Sequence, residues 1–339
     1  VNKGSHRRFW TVIVSGLLLA AAAAYLSLTN GAFDLSVLDV IKTLLRFHPQ
    51  PEHDLVVFEF RLPRIVLGGL VGFALGMAGS IIQGVTRNGL ADPGILGVNA
   101  GAGLSVVLFM FIFQGSISAS GWLGVMMMPM FGLAGGVAAT TAIYLFAKEK
   151  GKLDPQRLIL VGIAIASGFG ALTVYISLKM NPSDYEMAVV WLAGSLQSAN
   201  WKFVVTMLPW LLLLPVICMR AHVLDLFQLS GESQKSLGVS VQREQNIFLL
   251  CSVGLVSASV AVSGSIAFIG LIAPHLARQL VGLRHVHIIP VSGVVGMIIV
   301  LVGDFIGKTV FAPAELAVGI VVSIIGVPYF IFLLIRSRS

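Results

Sequence analysis

Long apolar blocks alternate with short polar gaps along this chain. Ten blocks lie at roughly 10–28, 62–83, 94–113, 121–147, 157–178, 201–219, 244–263, 266–282, 288–307 and 315–335. Each approaches the length of about 20 residues that a helix needs to cross a bilayer. Small residues recur inside them. Gly68, Gly72 and Gly76, then Gly97 and Gly101, repeat every four residues, a spacing that lets two helices approach closely. The pattern predicts an all-α integral membrane protein of ten transmembrane helices, forming one transmembrane domain over 1–339.

Three connections carry patterns of their own. Residues 29–61 include the amphipathic run LSVLDVIKTLLRF. Residues 183–200, SDYEMAVVWLAGSLQSAN, are semi-polar and aromatic, which predicts a short interfacial helix between the fifth and sixth spans. In 220–243, RAHVLDLFQLSGESQKSLGVSVQR, apolar residues recur at helical spacing and break at Ser230-Gly231. That predicts two short helices against the inner membrane face. Leu224, Leu226, Phe227, Leu229 and Leu237 are too many large apolar groups to leave in water, so a partner protein is expected there.

Composition excludes a soluble protein. Of 339 residues 57% are hydrophobic and 11% charged, against about 25% charged in soluble domains. The net charge of +7 is scattered through the gaps rather than clustered, which argues against nucleic acid. Its partition orients the chain. With the N-terminus inside, fifteen Lys and Arg fall on the inner side and seven on the outer, accounting for all 22. Both termini are then cytoplasmic. Arg61 and Arg64 fall outside, against the usual bias. The first block follows His6-Arg7-Arg8 and reads as a retained helix rather than a cleaved leader. Cys218 and Cys251 sit in apolar runs, as packing residues do.

Residues 69–81 (GLVGFALGMAGSI) and 254–266 (GLVSASVAVSGSI) match in part. They occupy the second and seventh spans, five crossings apart, as an inverted repeat requires. Gly303-Asp304-Phe305-Ile306-Gly307-Lys308-Thr309 nearly spells a phosphate-binding loop. It has one residue too few between the glycines and no strand before it. Asp92-Pro93 reads as the capped start of the third span. Pro274-His275 reads as a kink in the eighth. Asp304 and Glu315 lie near the outer ends of their spans, not at mid-membrane where a proton-coupled carrier would hold them. No catalytic or metal-ligand constellation stands out.

Four segments carry a family likeness: RLPR at 61–64, GSIIQGVTRNGLADPGILGVNAGAG at 79–103, SGSIAFIGLIAPHLAR at 263–278 and ELAVGIVVSIIGVPYFIFLL at 315–334. They resemble the permease subunits of ABC importers for iron–siderophore complexes, haem and cobalamin, most of all the ferrichrome-type (hydroxamate) permeases. The resemblance implies a ten-helix subunit of a bacterial cytoplasmic-membrane importer. Its partners would be a second permease, identical or paralogous, two cytoplasmic ATPases that bind ATP and Mg, and an extracytoplasmic binding protein. The chain itself would hold no cofactor and would work by alternating access. A haem or cobalamin cargo stays open at this point, as does an ion-coupled secondary carrier.

Roles follow by position. Arg61, Arg64 and Lys308 match the basic residues that receive acidic groups of the binding protein, with lysine at 308 where the cobalamin member has arginine. A lysine meets a carboxylate as a point charge, without bidentate geometry. The 222–242 stretch, through Leu226, Leu229, Gly231, Glu232, Leu237 and Gly238, resembles the helices that couple to the ATPase. Asn88 and Leu90, with Pro155 and Gln156, fall at the inner gate. The last pair departs from the small hydroxylic residues of the cobalamin member.

Overall fold

The computed structural model describes residues 3–31, 35–47, 50–113, 122–149, 152–229 and 240–337. Every apolar block lies on a helix. In chain order these are α1 (Lys3–Thr29), α2 (Val37–Leu44), α3 (Pro51–Asp54), a π-helical segment (Leu55–Arg61), α4 (Leu62–Thr86), α5 (Val98–Ile112), α6 (Trp122–Phe146), α7 (Pro155–Ser177), α8 (Pro182–Leu192), α9 (Trp201–Met207), α10 (Leu213–Leu226), α11 (Val241–Ser263), α12 (Ile269–Val281), α13 (His285–Thr309) and α14 (Val318–Ser337). Between α6 and α7, β1 (Lys148–Glu149) pairs antiparallel with β2 (Lys152–Leu153).

Among the described residues eight helices are long and apolar enough to cross a membrane. The third and eighth blocks form shorter helices, α5 with 15 residues and α12 with 13. Each is preceded by non-α backbone. A 3₁₀ turn, Pro93–Leu96, leads into α5, and residues 264–268 lead into α12. Irregular backbone at membrane depth is tolerated where protein surrounds it, and Ser263, Gly264 and Ile266 are buried. Asp92 caps the 3₁₀ turn through the N–H of Gly94 rather than α5 itself, which starts after Gly97.

Two expected boundaries move. The second span is helical from Pro51, not from 62, because α3, the π segment and α4 are continuous. The sixth span runs on from α9 through a 3₁₀ turn (Leu208–Leu212) and α10 to Leu226. Hence 220–226 belongs to that helix and is not a separate one lying on the membrane face. The apolar residues that suggested a partner divide accordingly. Leu224 and Phe227 are fully buried within the chain, whereas Leu229 is 41% exposed. The predicted helix after the fifth span is present as α8.

The core is built on α4 and α11, most of whose residues are buried. α4 runs antiparallel to α13 in a regular ladder. Gly68 meets Val300, Gly72 meets Gly296 and Gly76 meets Ser292, each step one helical turn along both. A Cβ at Gly72 would lie 2.4 Å from the carbonyl oxygen of Gly296, and one at Gly76 only 2.1 Å from that of Ser292. At Gly72 and Gly76 the small-residue spacing seen in the sequence is therefore backbone-to-backbone contact, while Gly68 takes the side chains of Val300 and Leu196. α11 also runs antiparallel to α4. Its last residue, Ser263, accepts from the N–H of Ser195, beside Leu196, which packs on Gly68. Its first turn pairs through Glu244 with Arg220 of α10, close to the Gly84 end of α4. The two matched segments thus lie on oppositely directed helices, as an inverted repeat needs.

Candidate functional site

The ladder of α4 and α13 ends in charge. One turn beyond Gly68 and Val300 stand Arg64 and Asp304. Arg64 Nε lies 3.0 Å from both carboxylate oxygens of Asp304, and a terminal nitrogen lies 2.9 Å from Oδ1. Its other terminal nitrogen donates to Glu315 Oε2 at 2.8 Å. The side chains of Arg64 and Asp304 are 15% and 5% exposed, while Glu315, on the turn before α14, is 33% exposed. One guanidinium therefore ties α4, α13 and the approach to α14 together, using the planar fork that lysine lacks.

Arg61 and Lys308 serve a different element. The last carbonyls of a helix have no partner inside it and carry its negative dipole end. α1 has no basic residue in its own last turn. Arg61, itself buried, donates to the carbonyl of Leu28. Lys308 Nζ donates to the carbonyl and hydroxyl of Ser27 at 2.6 and 2.7 Å. Two cations from the second and ninth spans thus cap the first. Gly31 makes room, since a Cβ there would sit 3.0 Å from the Arg61 guanidinium.

The three predicted docking residues consequently share one cavity of about 210 Å³, lined also by Ser27, Asn30, Phe60 and Glu315. All three are already engaged within the chain. Three cations against Asp304 and Glu315 leave one net positive charge. The π segment sets the approach, because the N–H of Leu62 bonds to Val57 O, five residues back. Sequence reasoning placed Asp304 and Glu315 at this depth but did not pair them with Arg64. Opposite charges at matching depths on different spans were the available signal.

At the far end of α4 the predicted gate residues have local roles. Arg87 ends the helix in the left-handed conformation at φ 52°, and Asn88 Oδ1 accepts from the N–H of Leu90 at 3.0 Å. Gln156 lies in the first turn of α7, where Asp154 accepts from its N–H at 2.8 Å, and Pro155 precedes it. Among the described residues no hydrogen bond joins the two pairs. Nearby, Arg278 of α12 donates to Gln83, whose amide in turn donates to Gly270 O at 3.3 Å. His275 contacts Gln279 and packs edge-on to Tyr329. Of the predicted coupling residues, Leu226 ends α10 and Leu229 is exposed beyond it. Gly231, Glu232, Leu237 and Gly238 lie outside the described residues. Among the described residues no cluster of His, Cys, Asp or Glu could hold a metal ion.

The pattern of the FecCD transport family matches residues 17–336. The chain belongs to that family. Curated relatives align along almost its whole length. The iron-uptake system permease protein FeuC of Bacillus subtilis is 47% identical, covering 95% of this chain and 96% of its own. The iron(3+)-hydroxamate import system permease protein FhuG of the same organism is 44% identical over 96% and 97%. The Fe(3+) dicitrate transport system permease protein FecD of Escherichia coli is 39% identical over 85% and 87%. A solved structure described as an inward-facing conformation of a metal-chelate type ABC transporter superposes with a TM-score of 0.82 at 29% identity, covering 96% of this chain and 99% of its own. As a FecCD permease the chain is a multi-pass transport subunit of an ABC importer, in which ATP binding belongs to a separate ATPase chain.

Proposed function

We propose that this permease imports a ferric siderophore of the hydroxamate class, handed over by an extracytoplasmic binding protein and driven by two cytoplasmic ATPases. The observation that carries this reading is the near full-length similarity to FhuG, at 44% identity. The superposition on a metal-chelate transporter supports it. In this reading the Arg64 end faces outward and both termini face the cytoplasm, the orientation that the Lys and Arg partition favours.

The binding protein docks over the Arg61, Arg64 and Lys308 mouth. Because Arg64 already holds two carboxylates, an acidic side chain of the incoming protein takes the place of Glu315, the more exposed partner. The ATPases engage the segment after α10, through Leu226 and Leu229 and on through Gly231, Glu232, Leu237 and Gly238. The paired permeases then alternate access around a central path, closed inside near Asn88, Leu90, Pro155 and Gln156.

The test is uptake by vesicles holding the permease pair, the ATPases and the binding protein. Ferric hydroxamate, ferric citrate, haem and cobalamin are supplied in turn. ATP-dependent uptake of the hydroxamate is the expected result. Preference for ferric citrate would move the chain toward the FecD-like relatives. Uptake that follows a proton gradient without ATPases would overturn the importer reading.

A further inference from the structure

Three groups meet where α10 ends. Asp225, in the last turn of α10, faces the start of α13. A single oxygen, Oδ1, accepts the backbone N–H of His285 at 2.9 Å and lies 2.6 Å from Nδ1 of the same ring. His285 is the first residue of α13, whose own N-cap, Arg284, makes no side-chain cap. The first N–H groups of a helix lack internal partners and form its positive dipole end. Asp225 therefore caps α13 from a different helix. The His285 side chain is 7% exposed, and its far nitrogen faces α4. A Cβ at Gly84 would lie 3.1 Å from Nε2 and 3.2 Å from Leu224 Cδ2.

We propose that Asp225 and His285 form the joint that passes movement of the segment after α10 into the α4–α13 pair. This rests on the reading that the ATPases engage that segment. The other contacts at this end of α10 are with α11, through Phe227 just past α10 on Phe248 and Arg220 with Glu244, and with α4, through Leu224 at Gly84. The ring and Leu224 contacts are non-directional and can slide, and the Arg220–Glu244 ion pair leads to α11 rather than α13. Two hydrogen bonds converging on one oxygen fix both position and direction. Beyond the joint, the glycine steps interlock α4 and α13 backbone to backbone. A displacement of His285 is therefore delivered about 29 Å along the helix pair to Arg64 and Asp304 near its other end. Asp225 and His285 are positioning residues, touching neither cargo nor nucleotide.

The experiment uses the complete importer in vesicles, with ferric hydroxamate as cargo, and reads uptake per ATP hydrolysed. Asp225→Ala is expected to lower that ratio about tenfold, within the range of measured site-to-site couplings, while ATP hydrolysis continues. Asp225→Asn is expected to keep it, because an amide oxygen can accept both N–H groups. The double variant with His285→Ala should be no worse than Asp225→Ala alone, as for one shared interaction. An unchanged ratio in Asp225→Ala overturns the joint. So does a loss of uptake and hydrolysis in step with the amount of assembled importer, which a purely structural role would give. If a Leu229→Cys chain cross-links to the ATPase while Asp225→Ala leaves the ratio unmoved, the joint alone is overturned. One that never cross-links overturns the ATPase reading and the joint with it.

Discussion

Arg64 and Asp304 close the α4–α13 ladder, a bidentate ion pair between residues 240 positions apart on oppositely directed helices. It extends the spacing of the glycine contacts. Gly72 with Gly296, Gly68 with Val300, and Arg64 with Asp304 follow at one turn each. The same face that brings the backbones together delivers the charges to one another.

Removing one member of this pair strands the other. Asp304→Ala leaves a mostly buried guanidinium with only the rim carboxylate of Glu315. A loss of about 3–5 kcal/mol is expected for breaking a buried pair. It reads as a lowered thermal midpoint of the detergent-solubilised protein. Arg64→Met with Asp304→Leu together should recover most of the loss.

Glu315 is the partner that an incoming carboxylate can replace. Glu315→Gln is expected to tighten binding-protein docking severalfold at low salt, with the gain shrinking as ionic strength rises. Binding measured in nanodiscs at two salt concentrations checks it. Weaker docking in the variant would show that Glu315 itself contacts the binding protein. Arg64→Glu is the less informative change, since it sets a third carboxylate beside Asp304 and Glu315.

Glycines differ sharply in what a methyl group would meet. At Gly72 it would strike the backbone of α13, and Gly72→Ala is expected to cost about 3 kcal/mol, the upper range of overpacking. Nothing lies within 4 Å of a Cβ at Gly168 in α7. Gly168→Ala should be neutral or stabilising by up to about 1 kcal/mol through helix propensity. Unfolding midpoints of the two variants decide it.

Phe227 and Leu229 are two residues apart and should respond oppositely. Phe227→Ala empties a fully buried site against Phe248 and is expected to cost about 3–5 kcal/mol of stability. Leu229→Asp changes an exposed side chain. It should leave the unfolding midpoint within about 0.5 kcal/mol of wild type while lowering ATPase co-purification. Both readouts on both variants check the division.

Hydropathy placed a helix in every apolar block, eight of them long enough to cross a membrane among the described residues, because apolar length is a requirement each span meets alone. It misplaced helix ends. Backbone hydrogen bonding continues past the apolar block at 51–61 and at 220–226, where the side chains no longer need to match lipid. The glycine spacing was legible as close packing, but not its partner on the ninth span. Arg61, Arg64 and Lys308 were legible as a group through the side that the Lys and Arg partition predicts for them and through family likeness. Their engagement with Leu28, Asp304, Glu315 and Ser27 was not, since each contact joins different spans. Asp225 and His285 left no local mark at all. An aspartate in an amphipathic run and a histidine at a span boundary have ordinary solvated readings.

The π-helical segment Leu55–Arg61 also bears on how this mouth tolerates change in chain length. A ring closed five residues back holds one residue more than an α turn. Deleting one residue between Leu55 and Phe60 therefore lets the helix close as continuous α, at no cost in backbone hydrogen bonds. The wider turn has already absorbed the extra residue, so the parts on either side of the deletion would keep nearly the same bearing around the axis. Arg64 would stay on its ladder, and α2 and α3 would stay on their side of the mouth. In that sense the segment is a register shim. It lets the connection ahead of it change length by one residue while its bearing and the Arg64 ion pair stay in place.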